Sequence, residues 1–395
     1  MTTTAIPASP RNVSIDLLRG LVMFIMALDH VRDLLHADAL IYNPLDETKT
    51  TALLYATRWI THFCAPTFVM LAGASAYLMG IRRTKQALSW FLLTRGLWLV
   101  FVDMVIMSFG WSFNLHTLLF GVLSAMGVGM MILALLIYLP QRLLPVLGLI
   151  IVFGHNLLDG IGFAPGSVAQ ALWSFVNVPN MLPTHGFIIF IGYPVLAWLG
   201  VLLCGYGLGM LFRPGYDADK RKRLLRYAGL AAILLFLILR YSNVYGNPTP
   251  WKPGANALQT LMIFFNVQKY PPSLLFTLIT LGPVLILLSF IADKPLRPNN
   301  PLVYFGRVPF FYYVLHFHII HIIGIIIGVA MGHPLSFMLT YNFITDTARL
   351  KGHYGVSLAA VYAIWLLLVA ALYPLCKWYA GYKQRHQDWR WLSYF

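Results

Sequence analysis

The chain is divided into long apolar segments, and their length and number restrict its fold more than any other property of the sequence. An apolar stretch of about 20 residues has the length that an α-helix needs to cross a bilayer. The sequence therefore predicts an all-α fold, a polytopic transmembrane helix bundle of about ten spans. The segments cover roughly residues 14–36, 62–81, 87–110, 116–139, 143–161, 188–212, 224–242, 272–292, 302–330 and 356–380.

Composition supports a membrane protein and argues against the other classes of partner. Charged residues make up 10% of the chain, whereas a soluble globular domain has about 25%. The net charge of +15 comes from basic residues at the ends of apolar segments, which is the pattern of membrane topology and not of a nucleic-acid-binding groove. We therefore expect the lipid bilayer as a partner and no nucleic acid. The three cysteines lack metal-like spacing, so neither a disulfide nor a zinc site is expected.

The distribution of basic residues predicts the orientation of the chain. The short connections at 82–85, 141–142, 213–226 and 294–297 are basic, as is the tail, and an even number of spans puts both termini on that side. The positive-inside rule makes it the cytoplasmic side. We expect one transmembrane domain over residues 1–395, with spans within 14–380 and a basic cytoplasmic tail at 381–395. Short apolar stretches at 169–176 and 258–267, in the longer outer connections, predict interfacial or re-entrant helices.

The first segment, residues 11–36, carries an unusual number of ionisable groups for a membrane span. Each costs roughly 2.5–3.5 kcal/mol at a helix centre, so such groups usually face the bundle interior or water. Arg19 and His30 are eleven residues apart, which is nearly three helical turns, and they share one face about 16 Å apart. Asp16 and Arg19 lie at the predicted cytoplasmic end. Asp29, His30, Arg32, Asp33 and His36 lie toward the outer end.

His30 is the strongest catalytic candidate in the sequence. Histidine is the usual general base near neutral pH, and a carboxylate can fix its tautomer and stabilise its charged form. Asp29 and Asp33 are the candidate carboxylates, and Asp33 lies closer to the face of His30 because it is three residues further along the helix. The alternative is a polar helix end wetted by a water-filled vestibule.

Four arginines at or below the cytoplasmic half of the bundle form a candidate site for an anionic cofactor. Arg19, Arg82, Arg83 and Arg95 could hold phosphate groups through charge-assisted hydrogen bonds. Simple membrane anchoring is the stronger interpretation for Arg82 and Arg83. Arg95 lies deeper, eight residues before Asp103, so the two could serve one site or pair through neighbours.

Candidate substrate-binding residues come from two later stretches. The sequence K-Y-P-P-S at 269–273 predicts a rigid outer corner that presents Lys269 and Tyr270 to a substrate, or alternatively a helix start with a snorkelling lysine. Arg307 and His316 on the ninth segment complete the set. His318 and His321 could share a helix face with each other, but no carboxylate accompanies them, so we expect no metal.

Several motifs together resemble one family. They are S-I-D-L-L-R-G (14–20) followed by D-H (29–30), A-P-T-F-V-M-L-A-G (65–73), Y-P-V-L-A-W-L-G-V-L-L-C-G-Y-G-L-G (193–209), K-Y-P-P-S-L-L (269–275) and Y-F-G-R-V-P-F-F-Y-Y-V-L-H (304–316). Their order resembles the transmembrane acyltransferase superfamily. The chain looks most like bacterial relatives of heparan-α-glucosaminide N-acetyltransferase, and more remotely like the membrane O-acyltransferases that modify bacterial surface sugars.

The resemblance implies a bundle of ten or eleven helices in the bacterial cytoplasmic (inner) membrane. It also implies a donor, acetyl-CoA, that delivers its acetyl group from the cytoplasm to a sugar, glycan or other small acceptor on the far side. His30 would be the family's first-helix histidine, acting as a general base or a transient acyl carrier. The arginines would contact the coenzyme. A homodimer is one option for the oligomeric state.

Two other functions remain open from the sequence. A transporter or exporter of a small anion or glycan could use the same buried charged residues as its pathway, although the chain shows no clear repeated halves. A non-catalytic assembly partner in envelope biosynthesis is the third option. Consumption of an acyl donor distinguishes the enzyme from both.

Overall fold

The computed structural model describes residues 12–295, 299–342, 346–386 and 388–394, and these residues are mostly helical. Arg297, one of the predicted cytoplasmic basic residues, lies outside them. The helices are α1 (Val13–Leu35), α2 (Ala52–Ile60), α3 (Cys64–Gly80), α4 (Lys85–Phe101), α5 (Ser108–Ser112), α6 (Val122–Leu136), α7 (Leu143–Gly154), α8 (Val168–Val176), α9 (Val195–Met210), α10 (Ala218–Ser242), α11 (Ala257–Phe265), α12 (Leu274–Ile291), α13 (Pro301–Arg307), α14 (Pro309–Ala330), α15 (Leu335–Thr340), α16 (Thr347–Leu350) and α17 (Leu358–Arg385).

Polar residues before the helices determine where many of them begin. The side chains of Asn12, Thr84 and Ser273 accept hydrogen bonds from backbone N–H groups in the first turns of α1, α4 and α12. Such caps satisfy donors that would otherwise lack partners, and each contributes about 1 kcal/mol. The boundaries of the apolar segments therefore follow from local sequence.

Six helical stretches in the described part of the chain are long and apolar enough to cross a membrane. Three more apolar helices, α6, α7 and α9, are shorter. Helix α1 is 23 residues long and carries five charged residues. Each of the ten predicted segments contains a helix, while their number as membrane spans stays a prediction. The six stretches are Ala52–Gly80, Lys85–Ser112, Ala218–Ser242, Leu274–Ile291, Pro309–Ala330 and Leu358–Arg385.

Helix α1 lies at the centre of the bundle, where it packs against α3, α13, α14 and α17. The backbones of α1 and α13 approach each other directly, with no side chain between them at Gly20 and Gly306. A Cβ atom added to Gly20 would lie 1.7 Å from the carbonyl oxygen of Leu302, and one added to Gly306 would lie 1.8 Å from that of Asp16. Small residues permit this close approach, which is common between membrane helices. The same contact brings the end of α13 next to Arg19.

Replacing Gly306 by Ala is expected to destabilise the protein. The new methyl group cannot be accommodated without moving α13 away from α1, and overpacking of this kind typically costs about 1–3 kcal/mol. Thermal unfolding in detergent micelles would measure the loss. Gly154→Ala is the matched control, because a Cβ atom at Gly154 meets nothing within 4 Å. Equal unfolding temperatures for the two variants would contradict the close contact.

A small sheet is the main departure from the predicted all-α fold. Strand β1 (Thr117–Phe120) pairs in parallel with β3 (Ile188–Ile191), and β2 (Asn180–Pro183) pairs antiparallel with β3. The predicted segments at 116–139 and 188–212 were therefore wrong at their first residues. Their apolar starts are short strands that end at Phe120 and Ile191, and the helices begin only after Gly121 and Pro194. Short apolar runs do not distinguish a strand from a helix by periodicity.

Candidate active site

One cavity of about 1030 Å³ connects the two groups of residues that the sequence singled out. Arg19 and His30, predicted to share a face of α1, both line it. Its remaining walls come from α3, α4, α6, α13, α14 and the residues around the small sheet. The middle of the cavity is apolar, and its lining there includes Met23, Met26, Cys64, Phe68 and Met126.

The arginine end of the cavity is strongly basic. It lies beside the first half of α1, the middle of α4, the last turns of α3 and α17, and the end of α13. Such a group of guanidinium and ammonium groups attracts phosphate-bearing ligands. The basic residues that define this end are Arg19, Arg82, Arg83, Arg95, Arg307 and Lys383.

Arg19 also joins three helices at this end. It donates hydrogen bonds to the Asp16 carboxylate at 3.1 Å, the Gly306 carbonyl oxygen at 3.2 Å and the Ser75 hydroxyl at 2.9 Å. The guanidinium group thereby links α1 to α13 and α3. Its position is fixed by the scaffold, which suits a residue at the edge of a binding site.

The histidine end of the cavity is lined by Asp29, His30, Asp33, Lys269 and Tyr270. The Asp29 carboxylate accepts hydrogen bonds from Arg32 at 2.5 Å, from Arg58 at 2.8 and 3.0 Å, and from the Thr61 hydroxyl at 2.6 Å. Because its lone pairs are occupied by these donors, Asp29 is part of a buried ion-pair network.

Asp33 belongs to the same network as Asp29. Its carboxylate accepts a hydrogen bond from Arg32 at 2.5 Å. Among the described residues, neither carboxylate is a hydrogen-bond partner of His30. The spacing along α1 had suggested that Asp33 would orient the His30 ring. The guanidinium groups of Arg32 and Arg58 lie within reach and attract both carboxylates more strongly than a neutral imidazole would.

The hydrogen-bond partner of His30 is another histidine. Nδ1 of His30 lies 2.7 Å from Nε2 of His316, and Nδ1 of His316 lies 2.7 Å from the carbonyl oxygen of Tyr312. The two imidazole rings are nearly parallel, with their centroids 5.0 Å apart, and the Phe317 ring packs edge-on against His30. His30 is thus held by α14 while it faces the cavity.

Lys269 and Tyr270 form the outer corner of the histidine end. Lys269 is buried, and its ammonium group lies 5.1 Å from the centroid of the Tyr270 ring. Burial raises the pKa of the Tyr270 hydroxyl, but the positive charges of Lys269 and Arg58 outweigh burial and lower it. The Tyr270 hydroxyl lies 3.4 Å from that of Tyr193, which also lines the cavity. This corner is therefore aromatic and electropositive.

The two predicted substrate residues of the ninth segment lie in different parts of the site. The segment is broken at Val308, so Arg307 ends α13 while His316 lies on α14. Arg307 follows Gly306, the contact of Arg19, and lies at the arginine end. His316 contacts His30 at the opposite end.

Arg95 and Asp103 have separate roles in the structure. Arg95 lines the cavity, whereas the buried Asp103 carboxylate accepts hydrogen bonds from the backbone N–H groups of Gly121 and Ser124, both at 2.8 Å. Asp103 thereby stabilises the N-terminus of α6, where a negative charge is favourable. Residues Val102–Met107, which include Asp103, form a π-helical turn, and sequence spacing could not anticipate it.

Arg58 belongs to the site although the sequence did not indicate it. Arg58 lies on α2, in a connection between two apolar segments, and its pairing with Asp29 spans 29 residues. No local pattern indicates such a contact. Lys383 was assigned only to a basic tail, although the helical continuation of α17 to Arg385 carries it to the cavity.

The other two histidines of α14 contact backbone carbonyl groups. Nδ1 of His318 lies 2.8 Å from the Val314 oxygen, and Nδ1 of His321 lies 2.5 Å from the Gly110 oxygen. Among the described residues, no group of three or more histidine, cysteine or acidic side chains is arranged to hold a metal ion. The absence of a metal from the proposed chemistry remains an expectation.

Comparison with known families identifies the first and larger part of the chain. The sequence model described as heparan-alpha-glucosaminide N-acetyltransferase, catalytic, matches residues 11–242, which is more than half of the 395 residues. The matched region contains α1, α3 and α4, and with them His30 and four of the basic residues at the arginine end. A search of curated proteins found no match. The family prediction made from the motifs is confirmed: the chain belongs to the heparan-alpha-glucosaminide N-acetyltransferase catalytic family of membrane acetyltransferases.

Proposed function

We propose that this protein transfers an acetyl group from acetyl-CoA, bound at the arginine end of the cavity, to a sugar or other small acceptor bound at the histidine end. The observation that carries the proposal is the single cavity of about 1030 Å³, which is lined by both the basic residues and His30. A donor and an acceptor that entered from opposite ends could meet within it. The family supplies the type of reaction.

The arginine end has the chemistry that the nucleotide part of acetyl-CoA requires. Its phosphates are multiply charged anions, which guanidinium groups bind through paired hydrogen bonds. The Arg83 guanidinium group lies 4.5 Å from the centroid of the Phe91 ring, and both residues line the cavity. The apolar middle of the cavity would hold the pantetheine arm and direct its thioester toward His30.

The histidine end would carry out the transfer. His30 removes a proton from the acceptor amine or hydroxyl as that group attacks the thioester carbonyl carbon. The resulting tetrahedral intermediate collapses, the C–S bond breaks, and the proton on His30 passes to the departing thiolate, which leaves as CoA. Lys269 would stabilise negative charge on the acceptor or on the intermediate. Transfer through an acetylated His30 uses the same ring and the same cavity.

The same proposal includes the arrangement in the membrane. We place ten spans in the bilayer with both termini in the cytoplasm, so the arginine end opens to the cytoplasm and the histidine end to the outside. The basic connections after α3 and α9 lie on the cytoplasmic side in this arrangement. For a bacterial protein this membrane is the cytoplasmic (inner) membrane.

The proposal is tested by assaying acetyl transfer with the purified protein in lipid nanodiscs. Acetyl-CoA is the donor and glucosamine is the first acceptor probe, since the family name refers to a glucosaminide. We expect equal amounts of free CoA and acetylated sugar. Binding of acetyl-CoA without turnover on any amine or hydroxyl acceptor would contradict the enzymatic function. Sugar transport into vesicles without donor consumption would instead support the transporter.

Removing Arg95 is expected to weaken binding of the donor. The change Arg95→Met deletes a cation from the cavity wall while it keeps much of the side-chain volume. Hydrogen bonds to charged groups contribute about 1.5–3 kcal/mol, which corresponds to roughly a 10- to 100-fold rise in the Kd for CoA. Calorimetry with CoA would measure this change.

The control for Arg95 is Arg142→Met. Arg142 is exposed in the predicted cytoplasmic connection before α7 and is not among the residues that line the cavity. We expect its substitution to leave the Kd for CoA unchanged. Equal weakening by both substitutions would indicate a general effect of surface charge and would contradict a donor site in the cavity.

A further inference from the structure

The contact between His30 and His316 carries an inference about how the catalytic histidine is prepared for reaction. We infer that His316 is a positioning residue: it keeps the proton of neutral His30 on Nδ1 and leaves Nε2 as the reactive nitrogen. The inference deepens the proposed function and rests on it for its catalytic meaning. The state of the two rings, however, can be measured without turnover.

The chain of hydrogen bonds starts at a group that can only accept. The carbonyl oxygen of Tyr312 lies 2.7 Å from Nδ1 of His316, so Nδ1 of His316 must carry the proton and donate. A neutral imidazole has one protonated and one unprotonated nitrogen. In neutral His316, Nε2 is therefore an acceptor.

His316 has surroundings that favour the neutral form. It is 0% exposed, and a buried cation without a paired anion is strongly unfavourable. No carboxylate of the described residues lies within ion-pair distance of its ring. Its titratable and charged neighbours are His30 on α1 and Tyr312, Tyr313 and His318 on its own helix.

The orientation of His30 follows from that of His316. Because Nε2 of His316 accepts, Nδ1 of His30 at 2.7 Å must donate its proton to it. Neutral His30 then has its lone pair on Nε2, which is the nitrogen free to take a proton or attack an acyl group. The His316 ring is nearly parallel to the rings of His30 and Tyr312, with centroids 5.0 and 4.9 Å away, and contact with both rings opposes rotation away from this geometry.

The hydrogen bond to His316 also stabilises the charged form of His30 during the reaction. When Nε2 takes the acceptor's proton, Nδ1–H keeps its hydrogen bond to His316, and that bond becomes charge-assisted and stronger. Burial of the ring opposes a positive charge on it, as do Lys269 and Arg32, whereas the Asp29 and Asp33 carboxylates favour it. His316 thus acts through His30 and needs no contact with either substrate.

Two substitutions of His316 separate this role from simple packing. His316→Leu keeps an apolar side chain but removes the acceptor. We expect kcat to fall roughly 10- to 100-fold, the usual loss when an orienting partner is removed, with no change in the KM for acetyl-CoA. His316→Gln places an amide oxygen near the former Nε2 and should recover most of kcat. The unfolding temperatures of both variants and of the unsubstituted protein would be measured in parallel. Equal values exclude misfolding as the cause of a lower kcat.

Nitrogen NMR of protein labelled in its histidine rings provides the readout that packing would not change. The signals of His30 are assigned by their loss in His30→Ala. We expect a protonated Nδ1 and an unprotonated Nε2 in the unsubstituted protein and in His316→Gln, and a mixture of tautomers in His316→Leu. A protonated Nε2 in the unsubstituted neutral protein, or an unchanged tautomer and kcat in His316→Leu, would overturn the inference.

These measurements test the acetyltransferase function and the positioning role of His316 separately. If the unsubstituted protein transfers acetyl groups and His30→Ala does not, while His316→Leu keeps both kcat and the tautomer, only the role of His316 is wrong. If no variant transfers acetyl groups but the tautomer of His30 depends on His316 as expected, the positioning geometry stands and the acetyltransferase proposal is wrong.

Discussion

His30→Ala is expected to lower kcat for acetyl transfer by about 10²–10⁴-fold, the usual contribution of a general base. The Kd for acetyl-CoA should not change, because the basic residues that would bind its phosphates lie near Arg19, about 16 Å away along α1. A steady-state assay combined with calorimetry would measure both quantities on the same preparation.

The matched control is His318→Ala. His318 lies on α14, the same helix as His316, and its Nδ1 contacts the Val314 carbonyl oxygen of the preceding turn. It is not among the residues lining the cavity. We expect kcat within a factor of about three of the unsubstituted protein, since substitutions that touch neither the site nor a buried network usually have small effects. Full activity of His30→Ala would remove His30 from the mechanism.

Asp29→Ala is expected to cause the largest loss of stability of any single substitution discussed above. The substitution removes the carboxylate that Arg32 and Arg58 share, so each of these two largely buried guanidinium groups loses its ion pair with Asp29. Breaking a buried ion pair by removing one partner typically costs about 3–5 kcal/mol. Chemical unfolding in mixed micelles would measure the change in the free energy of unfolding.

An exposed pair supplies the control for Asp29. Asp46 forms an ion pair with Lys49 at 3.2 Å, and the Lys49 side chain is 61% exposed. We expect Asp46→Ala to cost no more than about 1 kcal/mol. Adding Arg58→Met to Asp29→Ala should recover part of the lost stability, because it removes one of the uncompensated charges. Equal losses for Asp29→Ala and Asp46→Ala would contradict a buried network.

The part of the site that lies on one helix could be predicted from sequence. The separation of Arg19 and His30 is a property of helical periodicity, and both residues line the cavity as a shared face requires. The apolar segments likewise contain helices at the predicted places. These features depend on local sequence, which a single chain displays directly.

The partners of the site residues could not be predicted in the same way. The ring of His30 contacts His316, 286 residues further along the chain, and Asp29 contacts Arg58 on a helix of a connecting segment. Such pairs depend on how helices pack, and no local pattern contains that information. The break at Val308 similarly separated Arg307 from His316, which a continuous ninth helix would have placed on one element.

The small sheet was missed for a different physical reason. Strands β1 and β3 are each four residues long, and their apolar residues continue into the apolar helices that follow. Their pairing partners are about 70 residues apart, as in Thr117 with Ile188. Hydropathy alone therefore extends the helices over the strands, although Gly121 and Pro194 mark the true boundaries.

The central claim is that one cavity passes an acetyl group from the cytoplasmic face to the outer face. Proteoliposomes with acetyl-CoA sealed inside and glucosamine supplied only outside test it directly. We predict that acetylated sugar appears outside while free CoA accumulates inside in equal amount, and that His30→Ala slows both to the same extent, by about 10²–10⁴-fold. Product formation only when donor and acceptor share a compartment, or sugar uptake without release of CoA, would contradict the account.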